Sequence, residues 1–126
     1  MTWYTEVMAR QLRHNVAGGW YHITARGMGR REIFLDDCDR EHFVGLLAGM
    51  VGRYGVMLHA YALMGNHYHL LIETPSGNAS RALQWLNLSY SMWHKARRSH
   101  AGPVFQARFK SIPVDGEGSW ALTCSV

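Results

Sequence analysis

The segment Ala60-Tyr61-Ala62-Leu63-Met64-Gly65-Asn66-His67-Tyr68-His69-Leu70-Leu71-Ile72-Glu73 carries the topology of the chain. Gly65-Asn66 between two apolar runs has the composition of a two-residue hairpin loop, so the flanking runs, Val56 to Met64 and His67 to Glu73, are predicted to pair as antiparallel strands. Alternation along the second run puts His67 and His69 on one face and Tyr68, Leu70 and Ile72 on the other. Two imidazoles side by side make half of a metal site.

Working outward from this hairpin, Trp20 to Arg26 alternates Tyr21, Ile23 and Ala25 against His22, Thr24 and Arg26, which is the pattern of a half-buried strand. Gly27-Met28-Gly29 ends it. Asp36 and Asp37 offer capping oxygens to a helix whose Phe43, Leu46, Leu47, Met50, Val51 and Tyr54 recur at helical spacing, with Gly55 as its stop. Thr74 to Asn78 breaks the sheet, and a second helix is expected from Ala79 to about Arg98. It carries two stripes, Leu83, Leu86, Tyr90 and Trp93 on one side and Trp85, Leu88 and Met92 roughly opposite. A helix apolar on two sides needs two covers, one the sheet and the other a returning loop or a second subunit, so a homodimer is one expectation. After the connector His100 to Pro103, the run Val104 to Val114 holds a further strand.

The order strand, helix, strand, strand, helix, strand predicts an α+β fold with helices on one face of an antiparallel sheet. If Tyr68, Leu70 and Ile72 bury themselves against the helices, His67 and His69 lie on the free face; a one-residue slip would reverse this. Residues 1–19 show no firm period and read as an N-terminal arm, with Met8 as a second candidate start, and 20–126 as a single domain.

With 126 residues and 48% apolar content the chain can build one core but hardly two. Its formal net charge of +4 arises from bursts of cations, Arg26, Arg30 and Arg31, then Lys95, Arg97 and Arg98, then Arg108 and Lys110. Such clusters suit a polyanion, although a solvated basic surface would look the same. Two distant cysteines, Cys38 and Cys124, indicate neither a disulfide framework nor a zinc knuckle and fit a reducing compartment. No run approaches the ~18 apolar residues of a membrane span and no signal pattern opens the chain, so a cytoplasmic location is expected.

The histidine pair needs a third ligand, and His22, Glu73 and His59 are candidates by proximity in the expected sheet, each equally readable as an ordinary surface or core residue. Residues Gly19 to Gly27, Leu58 to Leu71 and Phe105 to Ser111 resemble the blocks of the single-tyrosine HUH transposases, and most of all the branch associated with repetitive extragenic palindromes. The resemblance implies a ferredoxin-like sheet, a Mg²⁺ or Mn²⁺ ion held by His67 and His69, and single-stranded DNA folded into hairpins as partner. It also implies nicking by a tyrosine through a transient 5′-phosphotyrosine. The eight cations named above are the expected DNA contacts.

Two departures from the family pattern stand out. Gly65 replaces the usual proline and is expected to loosen the hairpin turn. The family's nucleophile lies beyond the Gln106-to-Ser111 block, in a helix opening Tyr-Ile-x-x-Asn-Pro, and no tyrosine follows Tyr90 here. The domain is therefore expected to lack the catalytic helix. Tyr90 could stand in, but its apolar stripe favours a packing role, and Tyr4, Tyr21, Tyr54, Tyr61 and Tyr68 are no better placed, all but Tyr4 lying in expected regular elements with apolar neighbours. The competing reading is a non-catalytic protein that binds DNA hairpins.

Overall fold

The computed structural model describes residues 16–100 and 102–114. Four strands, β1 (Gly19–Arg26), β2 (Met57–Leu63), β3 (His67–Thr74) and β4 (Lys110–Val114), alternate with two helices, α1 (Asp37–Tyr54) and α2 (Ala79–Arg98). The strands form one antiparallel sheet in the order β2-β3-β1-β4. This is the βαββαβ ferredoxin-like arrangement expected from the sequence. Most of the expected arm lies outside the described residues. Its last part is tied to the sheet, because Gly18 donates to the Thr74 carbonyl at 2.8 Å.

The hairpin forms as read. Met64 donates to the His67 carbonyl at 2.8 Å, closing the Gly65-Asn66 loop, and Leu63 faces Tyr68. The glycine turn is held from outside the hairpin. The Gly65 carbonyl accepts from Ile33 at 2.8 Å and Phe34 at 3.1 Å, so the loop before α1 pins the turn from outside. The side of Gly65 where a Cβ would project is filled by the Glu32 carboxylate. That loop can fold back only because of another glycine: a Cβ on Gly27 would stand 2.3 Å from the Arg31 carbonyl oxygen.

Both helices cover the same face. Tyr21, Ile23, Ala25, Tyr68, Leu70 and Ile72 point from the sheet into a core completed by Phe43, Leu47 and Met50 of α1 and Ala82, Leu83, Leu86 and Tyr90 of α2. Helix α1 starts where the Asp36 side chain accepts from the Asp39 N–H at 2.9 Å, and it ends at Gly55 in the left-handed region, with φ 68°. The two stripes of α2 separate physically. Trp85 is half-buried beside Tyr54 and Gly49, with the Arg53 guanidinium 4.9 Å from its ring, so α1 supplies its cover. Leu88 and Met92 stay about two-thirds exposed.

Candidate functional site

The face of the sheet away from the helices carries Trp20, His22, Thr24 and Arg26 from β1, paired with Glu73, Leu71, His69 and His67 of β3. Residues directly opposite in an antiparallel pair share a face. His67 and His69 sit there half-buried, with ring centroids 4.9 Å apart and planes nearly perpendicular. No register slip has moved them inward.

The Nδ1 atoms of both rings are engaged. His67 Nδ1 lies 2.7 Å from Asn66 Oδ1, an acceptor, so Nδ1 donates and Nε2 is the nitrogen left without this partner. His69 Nδ1 lies 2.9 Å from His22 Nε2 and 3.3 Å from Thr24 Oγ1. Partners on one ring nitrogen that leave the other to a metal are the usual outer support of a histidine ligand. Burial, then the neighbouring charges of His22, His67 and Arg26, push the His69 pKa below the ordinary imidazole value; burial and Lys110 do the same for His22. Neutral imidazole is the metal-binding form. The donor set thus fits half a site, and no group of three or more His, Cys, Asp or Glu side chains able to hold an ion occurs among the described residues.

Of the candidate third ligands, His22 is the one brought to the pair. His59 and Glu73 bond to each other at 3.0 Å near the opposite end of the strands, and His59 stacks on Trp20 with centroids 4.1 Å apart and planes 3° from parallel. About four residues of strand, roughly 13 Å, separate Trp20 from Thr24, which removes His59 and Glu73 from the pair's reach.

The eight expected DNA cations fall in four places. Arg26, Arg108 and Lys110 line a cavity of about 250 Å³ with Thr24, Ala25, Gln106 and Ala107, one side chain away from His69. Arg30 and Arg31 are exposed on the loop after β1, where Asn66 Nδ2 donates to the Arg30 carbonyl at 3.4 Å, and Lys95 joins Arg108 along a wider groove beside α2. Arg97 and Arg98, also expected to meet DNA, are ion-paired to the start of α1. Arg97 binds Asp39 at 2.9 Å and Asp36 at 3.0 Å, and Arg98 binds Asp39 at 2.6 Å, because the end of α2 passes the start of α1.

Tyr90 is fully buried, its hydroxyl donates to the Ile33 carbonyl, and burial raises its pKa far above the ordinary phenol value. A buried phenol on the helix side of the sheet cannot reach a phosphate on the histidine side. Tyr21 and Tyr68 are buried in the same core, Tyr61 is paired with Leu70 on the helix side, and Tyr54 ends α1. Among the described tyrosines, none shares the face of His67 and His69. Tyr90→Phe is expected to cost about 1–3 kcal/mol, measured by urea denaturation, by leaving the buried Ile33 carbonyl unpaired. It is expected to leave DNA binding unchanged.

Thr24, Asn66 and Gln106 were not singled out from sequence. Their roles come from strand register and from the loop after residue 104, which no local pattern encodes.

The ferredoxin-like fold that carries this open face is shared with two solved transposase structures. It matches the solved structure of the tyrosine transposase associated with REP, bound to a REP hairpin, with a TM-score of 0.70 and 14% identity over 86% of this chain and 64% of that one. It also matches a candidate transposase from Deinococcus radiodurans with a TM-score of 0.64 and 16% identity, over 87% of this chain and 89% of that one. The chain belongs to the family described as IS200-like transposases, whose model matches residues 15–123. No curated protein matches it. The chain spans less than two-thirds of the REP-associated structure.

Proposed function

We propose that the chain binds hairpin-forming, single-stranded DNA across the open face of its sheet, with a divalent ion, Mg²⁺ or Mn²⁺, at His67 and His69. The observation that carries this reading is the juxtaposition of a histidine pair, each with its Nδ1 engaged, and the Arg26, Arg108 and Lys110 cavity. Its support from relatives is the family assignment and a structural neighbour bound to a REP hairpin.

In this reading Arg26, Arg108 and Lys110 hold phosphates by charge, and the Trp20–His59 stack offers an aromatic surface to unpaired bases at the other end of the face. His67 and His69 would hold the ion through Nε2, with His22 and Asn66 orienting them. When bound, the ion polarises a scissile phosphate and offsets charge developing on it. Strand nicking through a 5′-phosphotyrosine is the finer reading. Hairpin binding without chemistry is the second, favoured by the absence of any tyrosine on the histidine face among the described residues.

Titrating a labelled hairpin that carries a single-stranded tail, with and without Mn²⁺, tests the proposal. Binding is expected to weaken steeply with salt and to tighten several-fold with Mn²⁺. The variant His67→Ala with His69→Ala is expected to keep the metal-free affinity and lose the Mn²⁺ increment. Equal affinity for the hairpin and for a plain duplex of equal length would defeat the hairpin reading. A protein-linked labelled strand on a denaturing gel would select the nicking reading over the binding one.

A further inference from the structure

The helix layer keeps an uncovered outer surface. On α1 the side turned from the sheet carries Glu41, Val44, Ala48 and Val51 at helical spacing, and on α2 it carries Arg81, Leu88, Met92 and Lys95. Val44 and Val51 are 37% exposed, Leu88 63% and Met92 64%. The two helices differ in relief. Three glycines lie inside α1, each a cost to a helix. Gly49 has a reason within the chain, because the Trp85 ring stands 2.9 Å from where its Cβ would be. Gly45 and Gly52 are exposed and a Cβ on either would enter open space, so they leave α1 a shallow apolar trough that nothing among the described residues fills. Leu88 and Met92 form a ridge on α2. A ridge on one helix and a trough on its neighbour are complementary shapes.

We propose that this surface is an interface between two copies of the chain, with α1 of each lying on α2 of the other. Within one copy the helices run antiparallel. Arg98 at the end of α2 meets Asp39 at the start of α1 at 2.6 Å, and Asn78 before α2 donates to the Tyr54 carbonyl at the end of α1 at 2.9 Å. A two-fold axis parallel to the helices keeps every residue at its own height and exchanges the two helices. Leu88 and Met92 then enter the other copy's trough beside Gly45, and Lys95 falls between the other copy's Asp37 and Glu41. Charge agrees with shape. Glu41 and Lys95 make no ion pair among the described residues, and Asp37 has only a 3.7 Å contact with Arg40. Placing α1 on α1 would oppose trough to trough, and α2 on α2 ridge to ridge.

Both contacts form at once, so the pair closes and does not grow into a filament. Helices of 18 and 20 residues are about 27 and 30 Å long and each about 10 Å wide, which gives roughly 600 Å² per copy. Two copies bury about 1,200 Å², the lower end of stable interfaces, so association in the micromolar range is expected. The sheets face outward in this dimer and leave the histidine side of each copy open, so the inference stands apart from the DNA reading. Lys95, expected from sequence to meet DNA, serves the second copy instead.

The test is sedimentation of the whole chain without DNA. The parent is expected to be a dimer at tens of micromolar. The variant Leu88→Glu with Met92→Glu is expected to be a monomer and, once both proteins are diluted to monomer, to melt with the parent. Glu41→Lys and Lys95→Glu should each weaken the dimer about tenfold, since two attractive contacts become repulsive. An equimolar mixture of these two variants should regain the parent's affinity, because each copy then offers the charge the other lacks. That recovery is specific to α1 lying on α2. A parent that stays monomeric at these concentrations overturns the proposal, and so does a Leu88→Glu, Met92→Glu variant that still dimerises. Charge variants that dimerise like the parent, or a mixture that gains nothing over them, put any dimer on another face and overturn it equally. A large fall in the melting temperature of the diluted double variant would mean that the chain covers the ridge with its own residues, which also defeats the proposal.

Discussion

Asp39→Ala is expected to lower the unfolding free energy by about 3 kcal/mol and the melting temperature by roughly 10 °C. Asp39 is fully buried and serves four partners: its carboxylate accepts from Arg97 Nη1, Arg98 Nη2 and the Leu35 N–H, and its own N–H caps the helix onto Asp36. Truncation leaves two guanidinium groups and a backbone donor facing a void. Breaking a buried pair from one side typically costs about 3–5 kcal/mol; both arginines reach solvent in part, which places this case at the lower end.

Asp39→Asn separates charge from shape. If it melts like the parent, the carboxylate's charge contributes nothing and the ion-pair account is wrong. The same cluster gives an acid limb to stability. The Asp36 pKa is held below the usual carboxylate value, first by the Asp39 N–H and then by the arginines. A carboxylate whose folded pKa is depressed stabilises the fold fully above its unfolded value, near 3.9, and loses that contribution as pH falls through the folded value. Melts followed downward from pH 5 should show a decline for the parent that Asp36→Asn flattens.

This cluster also marks where sequence reading stops. Lys95, Arg97 and Arg98 form one run at the end of an expected helix, and nothing local distinguishes the lysine from the two arginines that pair with carboxylates. The difference is made by Asp36 and Asp39, some sixty residues earlier, and by how α1 packs against α2. Strand content was far more legible, because Tyr21, Ile23, Ala25, Tyr68, Leu70 and Ile72 obey a period of two that has only one burial solution against two helices. The histidine face followed from the same alternation. Its supporting contacts did not: His22 meets His69 because β1 and β3 are neighbours in the specific register that pairs Thr24 with His69. His59, nearer to the pair in the chain than His22, ends up on Trp20 instead, as the extra residue of a bulge between Leu58 and Ala60.

The triple variant Arg26→Ala, Arg108→Ala, Lys110→Ala should bind single-stranded tailed hairpins about a hundredfold more weakly than the parent near 0.1 M salt. The estimate follows from counterion release, in which each phosphate contact to a single strand contributes about 0.7 to the slope of log affinity against log salt. Three lost contacts reduce the slope by about 2, so the two lines diverge by about two decades at 0.1 M and converge towards 1 M. Fluorescence anisotropy over 0.05–0.5 M salt reads both quantities. These side chains are suited to removal because they line an open cavity and make no ion pair among the described residues, so the fold should survive. A parallel slope with lower affinity would mean that they position other groups and do not meet phosphates. An unchanged slope and affinity would place the DNA elsewhere, and the exposed Arg30 and Arg31 would then carry the electrostatic contact. The pairing of slope with affinity is what decides, since a partly unfolded variant loses affinity equally at every salt concentration whereas lost phosphate contacts are recovered as salt rises.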